Sequence, residues 1–387
     1  MLEEYVNEKT SNKPCSSESA VPFVDLTRQY QLHRKEILQT VDGVLSSGNY
    51  ILGPEVELFE KELAHYLGCR FVLGVANGTD ALMLVLKSFK IGVGDEVIVP
   101  VNSFLATAGS VVSVGSTPIL CDVQEDLNLD INKVASLITP RTKAVMPVHL
   151  TGRPADMTSL MQLATQHNLY VIEDAAQAIG ARYHNKRVGT IGHAGCFSLH
   201  PLKNLHIYGD GGFISTDDES LYNDLKLLRN HGLMNRDVCL HWGFNSRLDS
   251  LQAAIGRICL PYLDAWNERR RQNAAIYQKH LKAYVTVPVD EPHSYAIYHN
   301  FVIYTEMRDQ LMSYLADKKI ETKIHYPIQI YAQPAALSLG YKREDFPMAN
   351  KLAEQMLSLP VYSELRDDEL AKVVASIVSF FEKHQNS

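Results

Sequence analysis

The sequence predicts an α/β protein with a mostly parallel mixed sheet in a large domain, followed by a smaller C-terminal α+β domain. Two observations support this fold class. Short β-branched runs alternate with stretches of helical spacing as far as residue 216, which is typical of a parallel sheet covered by helices on both faces. After residue 216 the helical stretches lengthen and strand candidates become fewer, which indicates a second unit.

Seven apolar runs are predicted to form the strands of the large sheet. They are Arg70–Val75, Glu96–Val101, Thr117–Cys121, Lys143–His149, Leu169–Glu173, Gly195–Leu199 and Gly212–Thr216. Helical spacing occupies most of the intervals between them, at Asp80–Phe89, Ala106–Val114, Ile131–Leu137 and Met157–His167. Loops at the carboxyl ends of such strands are where ligands bind in α/β sheets.

Two longer helices are predicted after the last of these strands, at Glu219–Asn230 and Leu248–Ala283. Pro261 is expected to break or kink the second one. Its charged part, Trp266–Lys282, is predicted to be an exposed helix that bridges two domains. The C-terminal unit is predicted to contain two strands and a final helix, at Tyr298–Tyr304, Glu321–Ile324 and Asp368–His384.

The chain length and composition set the domain organisation. With domains of about 150 residues, 387 residues leave room for one to three domains. The predicted division is a disordered tail over residues 1–20, a large domain with an N-terminal arm over 21–260, and a linking helix with a small domain over 261–387. A chain of this length buries enough surface to fold without disulfides or a metal.

The charge balance argues against a nucleic-acid-binding protein. Lys and Arg number 37 against 44 Asp and Glu, a net charge of −7, and no basic helix-turn-helix segment is present. The polar N-terminus has no apolar signal region, and no window is apolar enough to span a membrane. The six cysteines are scattered without a CxxC pair or zinc-finger spacing, so no metal site is predicted. We therefore expect a cytoplasmic protein.

The segment Gly195–Asp217 is the most informative part of the sequence. A predicted strand ends near Ser198, and the short loop that follows holds Lys203 before a glycine-rich turn. A lysine at the carboxyl end of a strand, flanked by apolar residues, can have a lowered pKa and act as an amine nucleophile. On the loop alone, a surface lysine beside a turn is the more common case.

Two further strand ends carry candidate binding residues. Asp174 ends a buried run, where a carboxylate can meet a ligand cation, although an aspartate that caps a helix is also common there. Gly78 and Thr79 lie between a strand and a helix, where backbone N–H groups suit a phosphate, and a plain strand-turn-helix joint fits equally well. Neither a Walker loop nor a GxGxxG after the first strand is present.

These signals become specific through their order. A phosphate turn, then a strand-end Asp, then a Ser and a loop Lys is the layout of a fold-type-I pyridoxal-phosphate enzyme. From about Val21 to the last helix the chain resembles the sugar-nucleotide aminotransferases, the DegT/StrS group. The motifs that carry the resemblance are VPFVDLTRQY (21–30), GNYILGPEVELFEKELA (48–64), NGTDAL (77–82), VPVNSFLATA (99–108), PVHLTGRPADM (147–157), IEDAAQAIGA (172–181), FSLHPLKNLHIYGDGG (197–212), RNHG (229–232), FNSRLDSLQAAIG (244–256) and HYP (325–327).

The resemblance implies an aspartate-aminotransferase-like large domain and assigns roles to the residues around the cofactor, pyridoxal 5'-phosphate. Lys203 would bind the cofactor as a Schiff base and shuttle the proton between two carbons. Asp174 would pair with the pyridinium nitrogen and keep it protonated. Gln177 would hydrogen-bond the ring oxygen of the cofactor, and Phe104 would stack on its pyridine face.

By the same resemblance, the phosphate and the substrate are held by residues from two subunits. Gly78, Thr79 and Ser198 would hold the phosphate from one subunit, and Asn245 would reach it from the partner of an obligatory homodimer. The substrate side of the pocket would be lined by His325 and Tyr326.

Several positions depart from the family pattern near the expected sugar site, namely His206, Ile207, Thr151, Arg153 and Tyr331, and two of them carry alternatives. His206 stands where relatives often have a small residue, and it is expected either to contact substrate or to pack within the loop. Arg153 in PVHLTGRPADM is expected either to meet an anionic group of the substrate or to be a solvated loop residue.

The resemblance therefore implies a pyridoxal-phosphate-dependent aminotransferase that aminates a nucleotide-linked keto-sugar. The form of the Lys203 loop favours a 3-keto sugar, with glutamate as the amino-acid donor and a product used in polysaccharide or amino-sugar biosynthesis. Two alternatives remain open, namely a 4-keto-sugar or keto-inositol aminotransferase, and a non-catalytic regulator that retains the fold and binds a ligand. Intact Lys203, Asp174 and Ser198 argue against the regulator.

Overall fold

The structure is a computed structural model that describes residues 20–385. The predicted disordered tail lies outside the described residues, apart from residue 20. The helices are α1 (Leu26–Ser47), α2 (Pro54–Leu67), α3 (Gly78–Ser88), α4 (Leu105–Ser113), α5 (Ile131–Leu137), α6 (Met157–His167), α7 (Glu219–Leu228), α8 (Ser250–Cys259), α9 (Leu263–Leu281), α10 (Arg308–Asp317), α11 (Pro347–Gln355) and α12 (Asp367–Gln385). None of them is both long enough and apolar enough to cross a membrane.

The strands form one large and two small sheets. They are β1 (Phe71–Val75), β2 (Glu96–Pro100), β3 (Thr117–Cys121), β4 (Thr142–Val145), β5 (Tyr170–Asp174), β6 (Arg182–Tyr183), β7 (Lys186–Arg187), β8 (Ala194–Ser198), β9 (Gly212–Thr216), β10 (Ser294–Tyr295), β11 (Phe301–Tyr304) and β12 (Met356–Leu359). The large sheet has the order β1–β9–β8–β5–β4–β2–β3, and the small ones have the orders β10–β6–β7 and β11–β12.

The large sheet is mixed and mostly parallel, which confirms the predicted fold class. Only β9 runs antiparallel to its neighbours, β1 and β8, and all other adjacent pairs are parallel. Gly212 of β9 is paired with Val75 on one side and with Ser198 on the other. The carboxyl ends of β1, β2, β3, β4, β5 and β8 therefore lie at one edge of the sheet.

Side chains of the sheet alternate between two apolar layers, as the period of two in a strand requires. Val97 and Val99 of β2 belong to one cluster of buried residues, whereas Ile98 between them belongs to the other. A third cluster joins α9, α10 and α12 to the β11–β12 pair and includes Tyr277 and Phe301. The division into domains at residue 260 stays a prediction.

Several elements differ from the sequence-based expectations. The β4 strand ends at Val145 and not at residue 149, because the chain leaves the ladder and only Val148 makes one further bridge, to Asp174. Residues 321–324 form no strand. An isolated bridge between Val21 and Ile320 precedes them, and another joins Lys323 to Ser358. The strand that pairs with β11 is instead β12, which the sequence analysis missed.

The helix predicted over Trp266–Lys282 was wrongly expected to be exposed. The break at Pro261 is confirmed, since a 3-10 turn over Leu260–Tyr262 separates α8 from α9. However, α9 buries the polar residues Asn267, Arg270 and Asn273. Each of these side chains donates a hydrogen bond in the interior; for example, the Asn273 side-chain amide donates to the Tyr362 carbonyl (3.2 Å). These bonds offset part of the cost of burying polar groups.

Candidate active site

The predicted site residues follow strands that end at the same edge of the large sheet. Asn77 and Gly78 come directly after β1, Phe104 follows β2, Asp174 ends β5, and Lys203 follows β8. Because these strands are parallel in space, their carboxyl ends converge, and this edge is where α/β sheets bind ligands. Sequence spacing alone did not reveal which strands are neighbours.

Asp174 is a buried carboxylate with an incomplete set of partners. Its side chain is 6% exposed, and its two oxygens accept hydrogen bonds from the Thr107 hydroxyl (2.8 Å) and the Ala176 amide (3.2 Å). It makes no direct ion pair with any residue in the range 20–385. Burial raises its pKa above the ordinary value of an aspartate. The environment therefore favours a ligand that brings a positive charge to this carboxylate.

Lys203 lies in the loop after β8, and its ammonium group is disfavoured by burial. Burial lowers the pKa of Lys203 from 10.5 to about 8, and the negative charge of Asp174 opposes this shift. The two side chains thus act on each other electrostatically. An amine with a pKa near neutrality is partly unprotonated at working pH, which suits it to act as a nucleophile or a base.

The lowered pKa of Lys203 predicts a distinct reactivity profile. Reductive methylation with formaldehyde and a borane reductant requires the neutral amine, so methylation of Lys203 in the cofactor-free protein is expected to be half-maximal near pH 8. The exposed Lys35 on α1 is the matched control. Mass spectrometry of both sites between pH 6 and 11 measures the midpoints. Equal midpoints for the two lysines would contradict the burial effect.

The start of α3 packs directly against the end of β8. The side chain of Asn77 caps the helix by accepting a hydrogen bond from the Asp80 amide (2.8 Å). A Cβ atom on Gly78 would lie 3.0 Å from the Ser198 Cβ, so a glycine permits this close approach. The first amides of a helix, here at Gly78 and Thr79, have no acceptor within the helix. Together with the Ser198 hydroxyl they form a donor set that suits a phosphate.

A cluster of aromatic and amide side chains lies beside Asp174. The Gln177 amide donates to the Tyr326 hydroxyl (3.2 Å), and the Gln177 carbonyl oxygen accepts from the Thr151 amide (2.8 Å). The negative charge of Asp174 helps burial to raise the pKa of Tyr326 to about 12. The Phe104 ring is 5.7 Å from the Tyr326 ring and 56% exposed, so one aromatic surface is open to a ligand.

His325 lies on the small-domain side of the same region. Its Nδ1 atom is 2.9 Å from the Ser358 hydroxyl of β12. Burial, reinforced by the positive charge of Lys203, lowers the pKa of His325 to about 4, so the ring is neutral near pH 7. The structure therefore brings Lys203, Asp174, Gln177, Tyr326 and His325 into one electrostatically connected group.

His206 lies beneath the Lys203 loop in the described part of the chain. It is 2% exposed, and its ring stacks on Trp266 with centroids 5.5 Å apart. This placement favours the packing alternative, and the predicted substrate contact stays a prediction. Asn245 is exposed beside a short bridge to Asn230, and its contact with a partner subunit also stays a prediction.

Sequence reasoning missed three residues that support the site. Thr107 donates to Asp174, and the Oδ1 atom of Asn204, adjacent to Lys203, accepts a hydrogen bond from Nδ1 of the His299 ring (3.1 Å). Burial and the charge of Lys203 lower the pKa of His299 well below its ordinary value. Thr107 lay inside a motif and Asn204 beside the lysine, so position could have suggested both. No local signal marked His299, because its contact is made across the fold.

Comparison with known proteins identifies similar chains over nearly the whole length. The model of the DegT/DnrJ/EryC1/StrS aminotransferase family matches residues 31–378. The chain is 42% identical to a "dTDP-3-amino-3,4,6-trideoxy-alpha-D-glucose transaminase" from Streptomyces venezuelae, over 94% of this chain and 97% of the relative. It is 40% identical to a "Pleiotropic regulatory protein" from Geobacillus stearothermophilus, over 93% of this chain and 98% of the relative.

Solved structures show the same similarity. The crystal structure of S. venezuelae DesV in complex with a ketimine intermediate matches with a TM-score of 0.92 at 41% identity, over 94% of this chain and 99% of that one. The crystal structure of NtdA from Bacillus subtilis with bound cofactor PMP matches with a TM-score of 0.88 at 32% identity, over 98% of this chain and 91% of that one.

Proposed function

This chain belongs to the DegT/DnrJ/EryC1/StrS aminotransferase family, and on that premise we propose that it transfers an amino group to the 3-keto group of a nucleotide-linked sugar. The enzyme class is that of the family, a pyridoxal-phosphate-dependent sugar aminotransferase. The proposed donor is glutamate, and the proposed product serves polysaccharide or amino-sugar biosynthesis.

The observation that carries the proposal is the buried Asp174 beside Lys203. A buried carboxylate without a direct ion pair is costly, and a protonated pyridine nitrogen would neutralise it. A partly buried lysine with a pKa of about 8 stands within electrostatic reach of the same carboxylate. The cofactor needs these two groups together, so the residues present fit it.

The remaining predicted residues account for the other parts of the cofactor. We propose that Gly78, Thr79 and Ser198 hold its phosphate, because their donors meet where α3 begins against β8. Phe104 offers an open aromatic face for the ring, and Gln177 offers an amide group fixed by Thr151 and Tyr326. When bound, the cofactor acts as an electron sink that stabilises a carbanion next to nitrogen.

The side chains of the protein then orient the substrate and move its proton. With the cofactor bound, the Lys203 Nζ atom would take the proton from the α-carbon of the donor amino acid in the first half of the exchange. In the second half it would deliver a proton to the sugar carbon that receives the amino group. A pKa near the working pH favours both directions of this transfer. Asp174, kept ionised by a cation beside it, holds the positive charge in place. Neutral His325 and the Tyr326 hydroxyl line the side of the pocket that we assign to the sugar.

The substrate class is supported by the name of the S. venezuelae relative, which specifies a dTDP-linked 3-amino sugar. The experiment that tests it runs the reaction in reverse. Purified enzyme is incubated with 2-oxoglutarate and a panel of nucleotide-linked 3-amino and 4-amino sugars and an amino-inositol, and consumption of each is measured. Selective consumption of a 3-amino sugar supports the proposal, whereas consumption of a 4-amino sugar or of the inositol alone would replace it with one of the alternatives.

The second candidate function is that of a regulator without enzymatic activity. It is favoured by the name of the G. stearothermophilus relative, "Pleiotropic regulatory protein". Absorbance separates the two. A yellow protein that is bleached by borohydride and that turns over an amino sugar supports the enzyme. A colourless protein with no turnover under cofactor excess supports the regulator.

We further propose that the active site is shared by two subunits of a homodimer. Asn245 is exposed in the single chain, on the segment that precedes α8. The proposed location is the cytoplasm, because the five described cysteines are all free, which is typical of a reducing compartment.

Asn245→Ala is expected to weaken cofactor retention through the partner subunit. A hydrogen bond to a charged group contributes ~1.5–3 kcal/mol, so the dissociation constant of the cofactor should rise roughly 10- to 100-fold. Equilibrium dialysis of the dimer measures it, with the exposed Asn132→Ala on α5 as the matched control. A fully active monomer, or unchanged retention in Asn245→Ala, would contradict the shared site.

A further inference from the structure

A cavity of about 300 Å³ lies apart from the proposed cofactor residues. It is bounded by the loop after β4, by the segment over residues 286–300, and by β11. Its walls include Arg153, Tyr298, Asn300 and Tyr304, with acidic side chains at the mouth. None of the proposed cofactor residues lines it, and neither do His325 and Tyr326, which we assign to the sugar. Arg153 does line it, and for this residue the sequence left a contact with an anionic substrate group open.

Two residues that line this cavity each carry a buried hydrogen-bond donor without an acceptor in the described part of the chain. The Nη2 atom of Arg153 is buried and unpaired, and the side chain of Arg153 makes no hydrogen bond or ion pair with any residue in the range 20–385. The Nδ2 atom of Asn300 is likewise buried and unpaired, in a side chain that is only 3% exposed. A buried donor without an acceptor costs roughly 1–3 kcal/mol. Two such donors in one cavity indicate an acceptor-bearing ligand.

The charges around the cavity define the ligand further. Arg153 is the cationic side chain of the wall, and its charge acts on both Tyr298 and Tyr304. Glu125 and Glu291 are exposed at the mouth. Asp126, which also lines the cavity, has both oxygens engaged by Asn128, through the backbone amide and the side-chain amide (both 3.0 Å). A dianion would be repelled by these acids, whereas a zwitterion would meet both signs of charge.

We propose that Arg153 and Asn300 bind the carboxylate of a small amino acid in this cavity, with its ammonium group toward Glu125 and Glu291. The guanidinium supplies a charge-assisted donor and the amide supplies a second one. A volume of about 300 Å³ accommodates a molecule of this size. This site does not depend on the proposed sugar substrate, because none of its residues is assigned to the transfer reaction.

The site also has a direct connection to the cofactor region. The backbone amide of Asn300 donates to the Thr151 backbone carbonyl (3.3 Å). The backbone amide of Thr151 in turn donates to the side-chain oxygen of Gln177 (2.8 Å). Gln177 in turn donates to Tyr326. A molecule bound in the cavity would therefore lie against the backbone segment at Thr151, which positions Gln177, a residue proposed to bind the cofactor.

Glycine, acetate and inorganic phosphate are suitable probes for the test. Each is titrated into the cofactor-loaded enzyme at constant ionic strength, and the melting temperature is followed, since a ligand that binds only the folded state raises it. Glycine should stabilise the enzyme most, acetate less, and phosphate least. Arg153→Gln should weaken glycine binding at least about tenfold, because it removes the charged donor. Arg34→Gln is the matched control and should leave the binding unchanged, because Arg34 is exposed on α1 and its side chain has no hydrogen-bond or ion-pair partner among residues 20–385.

Asn300→Asp is a second test variant. Aspartate has nearly the same shape as asparagine, but it replaces the Nδ2 donor by a carboxylate oxygen, so this variant should abolish glycine binding. The absorbance of the cofactor is recorded in parallel, so that binding in the catalytic pocket is recognised separately. Glycine binding that survives both Arg153→Gln and Asn300→Asp would overturn the site. Equal binding of glycine and acetate would overturn the assignment to an amino acid.

Discussion

Lys203→Ala is expected to abolish turnover and the visible absorbance that arises when the cofactor is attached to the protein. The substitution removes both the covalent attachment point and the proposed proton carrier. General acid–base catalysis alone contributes ~10²–10⁴-fold to a rate, so the loss in kcat should reach at least the upper end of that range, about 10⁴-fold. The proposed phosphate donors at Gly78, Thr79 and Ser198 are untouched, so the cofactor should still bind without a covalent link.

The measurement combines single-turnover kinetics with the absorbance spectrum of the reconstituted variant. Lys35→Ala, an exposed lysine on α1, is the matched control and should behave like the unmodified enzyme. Folding is not expected to suffer, because burial of the Lys203 ammonium is unfavourable and its removal relieves that cost. Turnover and an unchanged absorbance band in Lys203→Ala would disprove the assignment of this residue.

The strand ends of the site could be predicted from the sequence because each is a local feature. The run into Asp174, the turn at Gly78 and the loop after Ser198 each combine a buried strand with a turn, and the structure places all three at one edge of the sheet. Their meeting depended on strand order, which local patterns do not encode. The resemblance to a family implied that these residues surround one cofactor, and the structure supplies the strand order, in which the β9 register brings Val75 and Ser198 to either side of Gly212.

Contacts made across the fold were not predictable in the same way. Arg270 was expected on an exposed helix face, yet it is buried and its guanidinium faces the carbonyls of Tyr298 and His299 at 3.5 and 3.4 Å. A charged helix can bury its polar groups when carbonyl acceptors arrive from a distant segment. Glu321–Ile324 shows a different error, because this β-like run meets β12 in an isolated bridge between Lys323 and Ser358 that does not extend into a ladder.

Asp174→Asn separates the electrostatic role of this carboxylate from its structural role. The amide has nearly the same shape, and it can still accept from the Ala176 amide while the Thr107 hydroxyl turns to accept from it. The positive ring nitrogen of the cofactor, however, loses its counter-charge. Removal of one preorganised electrostatic partner costs ~10²–10³ in kcat, and we expect a loss of at least that size.

Stability should change in opposite directions with and without the cofactor. The pKa of Asp174 is raised in the folded cofactor-free chain, so the folded state binds the proton more tightly than the unfolded state. Stability therefore falls as the pH rises from the unfolded pKa through the folded pKa, and the full penalty applies above the folded pKa. Asp174→Asn removes this penalty and should raise the melting temperature of the cofactor-free protein at pH 7, while it reduces the further stabilisation that the cofactor provides.

Calorimetry of the cofactor-free and loaded forms at pH 7, together with kcat, measures these effects. Asp210→Asn, an exposed aspartate in the loop after Lys203, is the matched control and should change neither quantity. A purely structural aspartate would lower the stability of both forms on substitution and leave kcat of the folded fraction intact. That pattern would disprove the pairing with the cofactor. A cofactor-free form that gains stability, together with a loaded form that loses activity, would establish the pairing. The reason is that a ligand cation makes this buried charge favourable.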